Sequence, residues 1–310
     1  MKDVLLSVDT PIYIAGHIIP DQDSICSSMA LAYILKKYNK KVYVLIEDDD
    51  REILSWIGDY SFVCSDIKES EYTFVALDVN DKKRLGKYNE GYINASVKIN
   101  IDHHQGNEMD ADYTYSSPGK SSTSEMIYEL FKDDIDLNIA TYLYSGIMND
   151  TNGFKRRISS STLCIAQDLI NIGVDYVNII KKTLTNRSLY EFRALGKMVN
   201  DIKYDGFHYL VIDMKEECYK DLTFNQITKR IAEDLRTIED IDVFILLIKY
   251  EGYIKSKCMT NISENANVIA SLFDGGGHKK EAGFTVSNIS IDEIINKIKS
   301  YLNETNKRQH

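Results

Sequence analysis

His17, Asp21 and Asp23 fall within seven residues of one another around Pro20, in the stretch GHIIPDQDS at 16–24. An imidazole and two carboxylates so spaced can ligate a divalent cation, and they can equally make a polar turn that caps a helix. Pro20 disfavours a helical Ile19, so the segment reads as a loop leaving a strand, and Asp23 occupies the N-cap position before the next helical run. A cap needs only one of the three side chains. A second group, IDHHQG at 101–106, sets Asp102, His103 and His104 in succession after an apolar run. Neighbouring side chains at a strand end point in different directions, so one imidazole can ligate metal while the other faces a substrate and Asp102 orients them. Asp78 ends TFVALD, and Asp150 stands before TNGF as a turn residue or a ligand.

His17, Asp21, Asp23, Asp78, His103 and Asp150 make four carboxylates and two imidazoles. Oxygen-rich sets with some imidazole favour Mn²⁺ or Mg²⁺ over thiolate-seeking zinc. Four ionised aspartates in one place repel each other and any phosphate, whereas two divalent cations cancel that charge. Such a pair suits hydrolysis of a phosphoester.

These residues need elements to bring them together. PIYIAG (11–16), KVYVLIE (41–47), TFVALD (73–78) and VKINID (97–102) read as strands. Residues 24–38, 121–131, 137–150 and 161–173 carry helical spacing, the last ending on Gly173 as a C-cap. Alternation of this kind predicts an α/β domain with a parallel sheet covered on both faces, where ligands gather at the carboxyl ends of the strands. Gly16-His17, Asp78 and Asp102-His103-His104 all fall at such ends. Residues 184–202 read as a long connecting helix. Beyond it come a strand at 207–214, a helix at 223–238, a strand pair over 243–259, a helix at 264–273, GGGHKKEAG as a loop or helix start, and a terminal amphipathic helix at 291–302. The expected division is 1–186, a linker helix at 187–203, and a smaller α/β domain at 204–310.

The net charge of −10 argues against simple electrostatic binding of long nucleic acid. Residues 1–186 hold 19 Lys and Arg against 28 Asp and Glu, and residues 187–310 hold 18 against 19, so the acidic excess is N-terminal. A solvated acidic surface accounts for such an excess, and clustered carboxylates holding divalent cations account for part of it. No apolar run is long enough for a membrane span, and the N-terminus lacks the pattern of a signal peptide. The five scattered cysteines fit reduced thiols in a cytoplasm, most of them as small core residues.

GHIIPDQDS, FVALDVNDKKRLG, IDHH and GIMNDTNGF, in this order, resemble the four motifs of the DHH phosphoesterases. GGGHKKEAG at 275–283 resembles the glycine-rich signature of the DHH-associated C-terminal domain. The resemblance implies an N-terminal catalytic α/β domain with two manganese ions, a substrate-gripping C-terminal α/β domain, and a cleft between them. It implies that His17 and Asp21 hold one metal, that Asp23, His103 and Asp150 hold the other, and that Asp78 bridges them. His104 then faces the substrate phosphate and Asp102 supports the histidine pair. In the C-terminal domain Gly275, Gly276, Gly277, His278 and Lys279, with Lys280 nearby, form the clamp; taken alone, a triple glycine is a flexible turn.

The match has departures. Met259 stands where an arginine is expected, with Lys255 or Lys257 as substitute cations. Asp274 replaces a first glycine, Glu281 a small residue, and Asn149 and Asn152 the usual threonine and glycine. The group implied is the nanoRNase and pAp-phosphatase type, acting on oligoribonucleotides of a few residues, pAp or pApA. Cyclic di-AMP hydrolysis, a manganese pyrophosphatase and a non-catalytic nucleotide-binding regulator are the alternatives. Dimers are common in that group.

Overall fold

The computed structural model describes residues 1–46, 61, 63–184, 188–224, 226–228, 234, 238–261, 265–277 and 279–308. The chain divides into two units, Met1–Asn186 and Arg187–His310.

In the first unit, β1 (Ile12–Ala15), β2 (Val42–Leu45), β3 (Val63–Cys64), β4 (Thr73–Leu77), β5 (Val97–Asp102) and β6 (Tyr113–Ser116) form one sheet. Their order is β3-β2-β1-β4-β5-β6 and every pairing is parallel. All residues of β1 and β4 are buried, as strands covered on both faces must be. One face packs Ile12, Ile14, Val75, Leu77, Ile99 and Ile101 against four helices: α2 (Gln22–Lys37), α4 (Thr123–Phe131), α5 (Leu137–Asp150) and α6 (Ser160–Ile172). The other packs Tyr13, Ala15, Phe74 and Ala76 against Leu85 of a 3₁₀ helix, Lys82–Tyr88, and Tyr92 of α3 (Asn89–Asn94). Two shorter helices, α1 (Lys2–Ser7) and α7 (Tyr176–Thr183), complete the unit. The chain reverses direction across the sheet between β1 and β4, and a crevice opens at the carboxyl ends of strands at such a point. His17 lies two residues past β1, Asp78 directly follows β4, and Asp102 ends β5.

One expectation needs correction. Asp21, not Asp23, is the N-cap of α2; its Oδ1 accepts from the amides of Asp23 (3.0 Å) and Ser24 (3.1 Å). The helix starts at Gln22, so Asp23 lies inside its first turn with its carboxylate free to reach elsewhere. The cysteines are corrected too: only Cys26 and Cys258 are buried, and Cys164 is exposed.

The second unit holds α8 (Leu189–Asn200), β7 (Lys203–Tyr204), β8 (His208–Asp213), β9 (Val243–Lys249), β10 (Ile254–Thr260), α9 (Ala266–Ser271), β11 (Gly276–Gly277), β12 (Glu281–Gly283), β13 (Thr285–Val286) and α10 (Ile291–Arg308). Its strands run β11-β12-β10-β9-β8-β7, with β13 also on β10, and β8–β9 is the parallel pair. Ala194 and Met198 of α8 are buried against Leu210, Phe244 and Leu246, so this helix is part of the second core. Of the helix expected at 223–238, residues 225, 229–233 and 235–237 lie outside the described residues. Within GGGHKKEAG, expected as a loop or helix start, two short strands, β11 and β12, pair antiparallel, Gly276 opposite Gly283 and Gly277 opposite Ala282. A Cβ on Gly275 would sit 2.5 Å from Phe284 Cβ, and one on Gly277 would sit 2.6 Å from Ala282 Cα. These two glycines let their own hairpin close. No single helix among the described residues is long and apolar enough to cross a membrane.

Asp274, just after α9, has φ 56°, a left-handed backbone that costs an L side chain free energy. Asp274→Gly is therefore expected to raise the unfolding free energy by about 0.5 kcal/mol, read from urea melts, the relief of strain exceeding the added chain entropy.

Candidate metal centre

The carboxyl ends of β1, β4 and β5 bring the polar residues together. His17 Nε2 lies 3.7 Å from Asp78 Oδ2 and 3.9 Å from Asp21 Oδ1. His103 Nε2 lies 3.1 Å from Asp150 Oδ2 and 3.4 Å from Asp78 Oδ1. Among the described residues three three-donor sets result, His17–Asp21–Asp78, Asp23–His103–Asp150 and Asp78–His103–His104, each with donor atoms within 4.8 Å of one another. Asp78 thus stands between the two imidazoles. Its φ of 61° is strained for an aspartate and turns the chain sharply as it leaves β4.

Asp23 is fully buried, and both of its oxygens are engaged at the start of α4. Oδ2 accepts from the Thr123 amide (2.7 Å) and Oδ1 from the Ser124 amide (3.1 Å). Ser122, the N-cap of α4, accepts from the Glu125 amide (3.1 Å), so three helix-start donors are satisfied. The Thr123 hydroxyl donates to Asp78 Oδ1 (3.1 Å). Asp150 is supplied by the last turn of α5. One turn earlier, Gly146 faces Asp23; a Cβ there would sit 2.5 Å from Asp23 Oδ1 and overlap the Ser124 hydroxyl.

On the other side, His104 Nδ1 lies 2.7 Å from Asp102 Oδ1, while Asn107 Nδ2 donates to Asp102 Oδ2 (3.0 Å) and to Asn100 Oδ1 (2.8 Å). Asn100 is itself buried, and its amide donates to the carbonyl of Val79 (2.9 Å), the residue after Asp78. Burial alone would raise the Asp102 carboxyl, but the His104 contact holds it below its ordinary value. Burial lowers the pKa of His17, with Asp21 opposing. Burial, and then the Asp150 carboxylate, push Asp23 up to about 7, and burial pushes Asp78 well above the carboxylate range. Burial disfavours a charged His103, but Asp150 and Asp78 outweigh it and raise that imidazole to about 11.

Such crowding is what a site short of positive charge looks like. His103 Nε2 is buried beside Asp150 Oδ2 and Asp78 Oδ1 and makes no aligned hydrogen bond with either, a polar atom left unsatisfied among carboxylates. Oxygen donors with two imidazoles, charge-crowded and dry, fit a pair of divalent cations.

The second-unit candidates divide differently. Lys257 is ion-paired with Glu281, and Lys255 lies over the Phe224 ring with Nζ 4.2 Å from its centroid. Met259 is buried in the core. Gly276 and Lys279 are exposed, and His278 lies outside the described residues. Residues not anticipated are Thr123, Ser124, Asn107 and Gly146. A serine- and threonine-rich start before SEMIYELF was the available sign for the first two, since helix-start amides attract carboxylates.

A doubly wound parallel sheet carrying paired Asp–His clusters at its switch point is a phosphoesterase architecture. The profile of the DHH family, N-terminal domain, matches residues 11–147, and that of the DHHA1 domain matches residues 206–304; the chain belongs to the DHH family. It is 29% identical to the bifunctional oligoribonuclease and PAP phosphatase NrnA of Thermus thermophilus, over 96% of this chain and 91% of that protein. It is 25% identical to the cyclic-di-AMP phosphodiesterase PdeA of Listeria monocytogenes over 96% of its own length, spanning 48% of PdeA. The crystal structure of an exopolyphosphatase-related protein from Bacteroides fragilis shares the fold, with a TM-score of 0.84 at 23% identity over 97% of this chain and 94% of that one.

Two outcomes follow from this geometry. Gly146→Ala forces Asp23 and Ser124 apart and is expected to cost about 1–3 kcal/mol in stability, and to weaken Mn²⁺ binding in titration calorimetry. The metal-free chain is expected to lose stability as pH rises. With Asp23 at about 7 and His103 at about 11, the folded state keeps protons that the unfolded state releases near 4 and 6.5. Both contributions have the same sign, the first acting between about pH 4 and 7 and the second above about 6.5. Thermal melts in chelator should show the decline, and added Mn²⁺ should oppose it.

Proposed function

We propose that this chain is a manganese-dependent phosphoesterase that hydrolyses short nucleotides: oligoribonucleotides of a few residues, pAp or pApA. The observation that carries this reading is the pair of three-donor sets, His17–Asp21–Asp78 and Asp23–His103–Asp150, with Asp78 carboxylate oxygens 3.7 Å from His17 Nε2 and 3.4 Å from His103 Nε2. His17 and Asp21 would hold one cation, Asp23, His103 and Asp150 the other, and Asp78 both. When bound, two divalent cations stabilise the attacking and leaving oxygens of an in-line displacement at phosphorus. Mg²⁺ is the second candidate, since it favours the same oxygen donors.

The chain's own groups then act around that displacement. Asp102 Oδ1 lies 2.7 Å from His104 Nδ1 and, accepting an Nδ1–H there, would fix the ring. The imidazolium form would give its Nε2 proton to the departing oxygen and be left as the neutral Nδ1–H tautomer. The Asn107 amide holds the second Asp102 oxygen and keeps that carboxylate from turning away. The helix-start amides of α4 fix Asp23, and the Thr123 hydroxyl fixes Asp78. Residues 1–186, with 28 acidic against 19 basic side chains, offer no basic track for long nucleic acid, which favours substrates of a few nucleotides. Similarity to NrnA over nearly the whole of both chains supports the same substrate class. Similarity to PdeA motivates a second reading, hydrolysis of cyclic di-AMP. Gly276, Gly277, Lys279 and Lys280 are the exposed described members of GGGHKKEAG, open to a nucleotide.

A Mn²⁺-dependent panel of pAp, pApA, cyclic di-AMP and RNAs of two to five nucleotides, resolved by chromatography, tests both readings. Turnover is expected with pAp, pApA or the RNAs and should vanish in chelator. Asp102→Ala/His103→Ala should abolish it, and His104→Ala should lower kcat by about 10²–10⁴-fold. Equal phosphate release from the wild type and the double variant would overturn the proposal.

A further inference from the structure

FVALDVNDKKRLG sets Arg84 six residues beyond Asp78, on the 3₁₀ helix Lys82–Tyr88. Its backbone is tied to the centre: the Arg84 carbonyl accepts from the amide of Ile18 (2.6 Å), the residue after His17, and its own amide donates to Asp81 O (2.9 Å). The side chain is half-buried, yet among the described residues it has neither a hydrogen bond nor a carboxylate within 4 Å. Other half-buried cations of this unit are engaged: Lys2 with Asp134, Lys98 with Asp110 and Lys120 with Glu129. Arg156, at the Asp150 end, is exposed and directs its Nε–H at the Asp150 carbonyl (3.4 Å).

A guanidinium kept half out of water without a partner calls for an anion. The centre also calls for more positive charge than two divalent cations provide. Asp21, Asp23, Asp78, Asp102 and Asp150 carry five negative charges if all are ionised, before a phosphate adds its own. In the second unit the nearest substitute for the missing arginine, Lys257, is neutralised by Glu281.

We propose that Arg84 is a substrate-binding residue that grips the non-bridging oxygens of the phosphate at the His17 side of the centre. Its planar fork matches two phosphate oxygens at once, which a lysine ammonium does not. Arg84 thereby selects a terminal or exposed phosphate and positions it without taking part in proton transfer. This inference rests on reading the centre as a phosphoester site.

The test is inorganic phosphate binding to the Mn²⁺-loaded protein by calorimetry, for the wild type, Arg84→Met and Arg84→Lys, alongside pApA kinetics and Mn²⁺ titration. Arg84→Met should weaken phosphate binding about 10- to 100-fold and raise KM more than it lowers kcat. Arg84→Lys should recover part of the loss, and Mn²⁺ stoichiometry and the melting temperature should hold in both variants. Phosphate binding unchanged in Arg84→Met would overturn the role of Arg84 even if the enzyme is active. Loss of Mn²⁺ or of the fold in both variants would also overturn it, by making the residue structural. A wild type that binds phosphate through Arg84 but hydrolyses none of the nucleotides would instead overturn the proposed function alone.

Discussion

Burial of like charges at the carboxyl ends of β1, β4 and β5 is the constraint that the first unit is built around. Asp23 and Asp78 are almost wholly buried, and oxygens of Asp23 and Asp150 lie within 4.8 Å of one another. One such pair repels by about 3 kcal/mol even at an effective dielectric of about 20. A few of them together rival the net stability of a domain. The chain therefore has to supply fixed dipoles where it can and leave room for cations where it cannot. The start of α4 is the chief dipole: two amides and the positive end of a helix meet Asp23. Among the described residues no backbone amide donates to the Asp150 carboxylate, which has the Asn149 side-chain amide at 3.5 Å and His103 Nε2 at 3.1 Å. Two imidazoles flank Asp78, so these are positions at which added positive charge gains.

That division explains why backbone strain concentrates where it does. Asp78 leaves β4 in a left-handed conformation because its carboxylate must turn toward both imidazoles rather than continue the strand. Val79, next in line, is steadied by the Asn100 amide, and Asn107 links Asn100 to Asp102, so the exits of β4 and β5 are bound into one network. The rigid parallel sheet beneath makes that strain tolerable: β1, β4 and β5 are in register along their length and packed on both faces.

The strands and helices of the first unit that carry the site were legible because their apolar periodicity is strong, and α5 runs over Leu137–Asp150 as its spacing predicts. The convergence of His17, Asp78 and the Asp102–His104 run was legible because strand ends in a parallel sheet share one edge. Illegible were the contacts that cross a hundred residues of chain. Asp23 looks like the cap of its own helix; instead it joins α4, and Asp21 takes the cap. Gly146 reads as an ordinary helix glycine until Asp23 is placed against it. The short strands β3, β6, β7, β11, β12 and β13 were missed because two to four residues carry no measurable period, and in the glycine hairpin the small residues look like flexibility when they serve close packing.

The unusual residues of the second unit are coupled. Glu281, where the family pattern has a small residue, pairs with Lys257, and it sits opposite Met259 in the β10–β12 register. Met259, where an arginine is the rule, turns its side chain into the core instead of toward an anion. One substitution removes a cation from this strand and the other neutralises a second, so the strand is far poorer in free positive charge than the family pattern. Lys255 lies over the Phe224 ring and Lys257 is paired, so both lysines of β10 are engaged within the second unit.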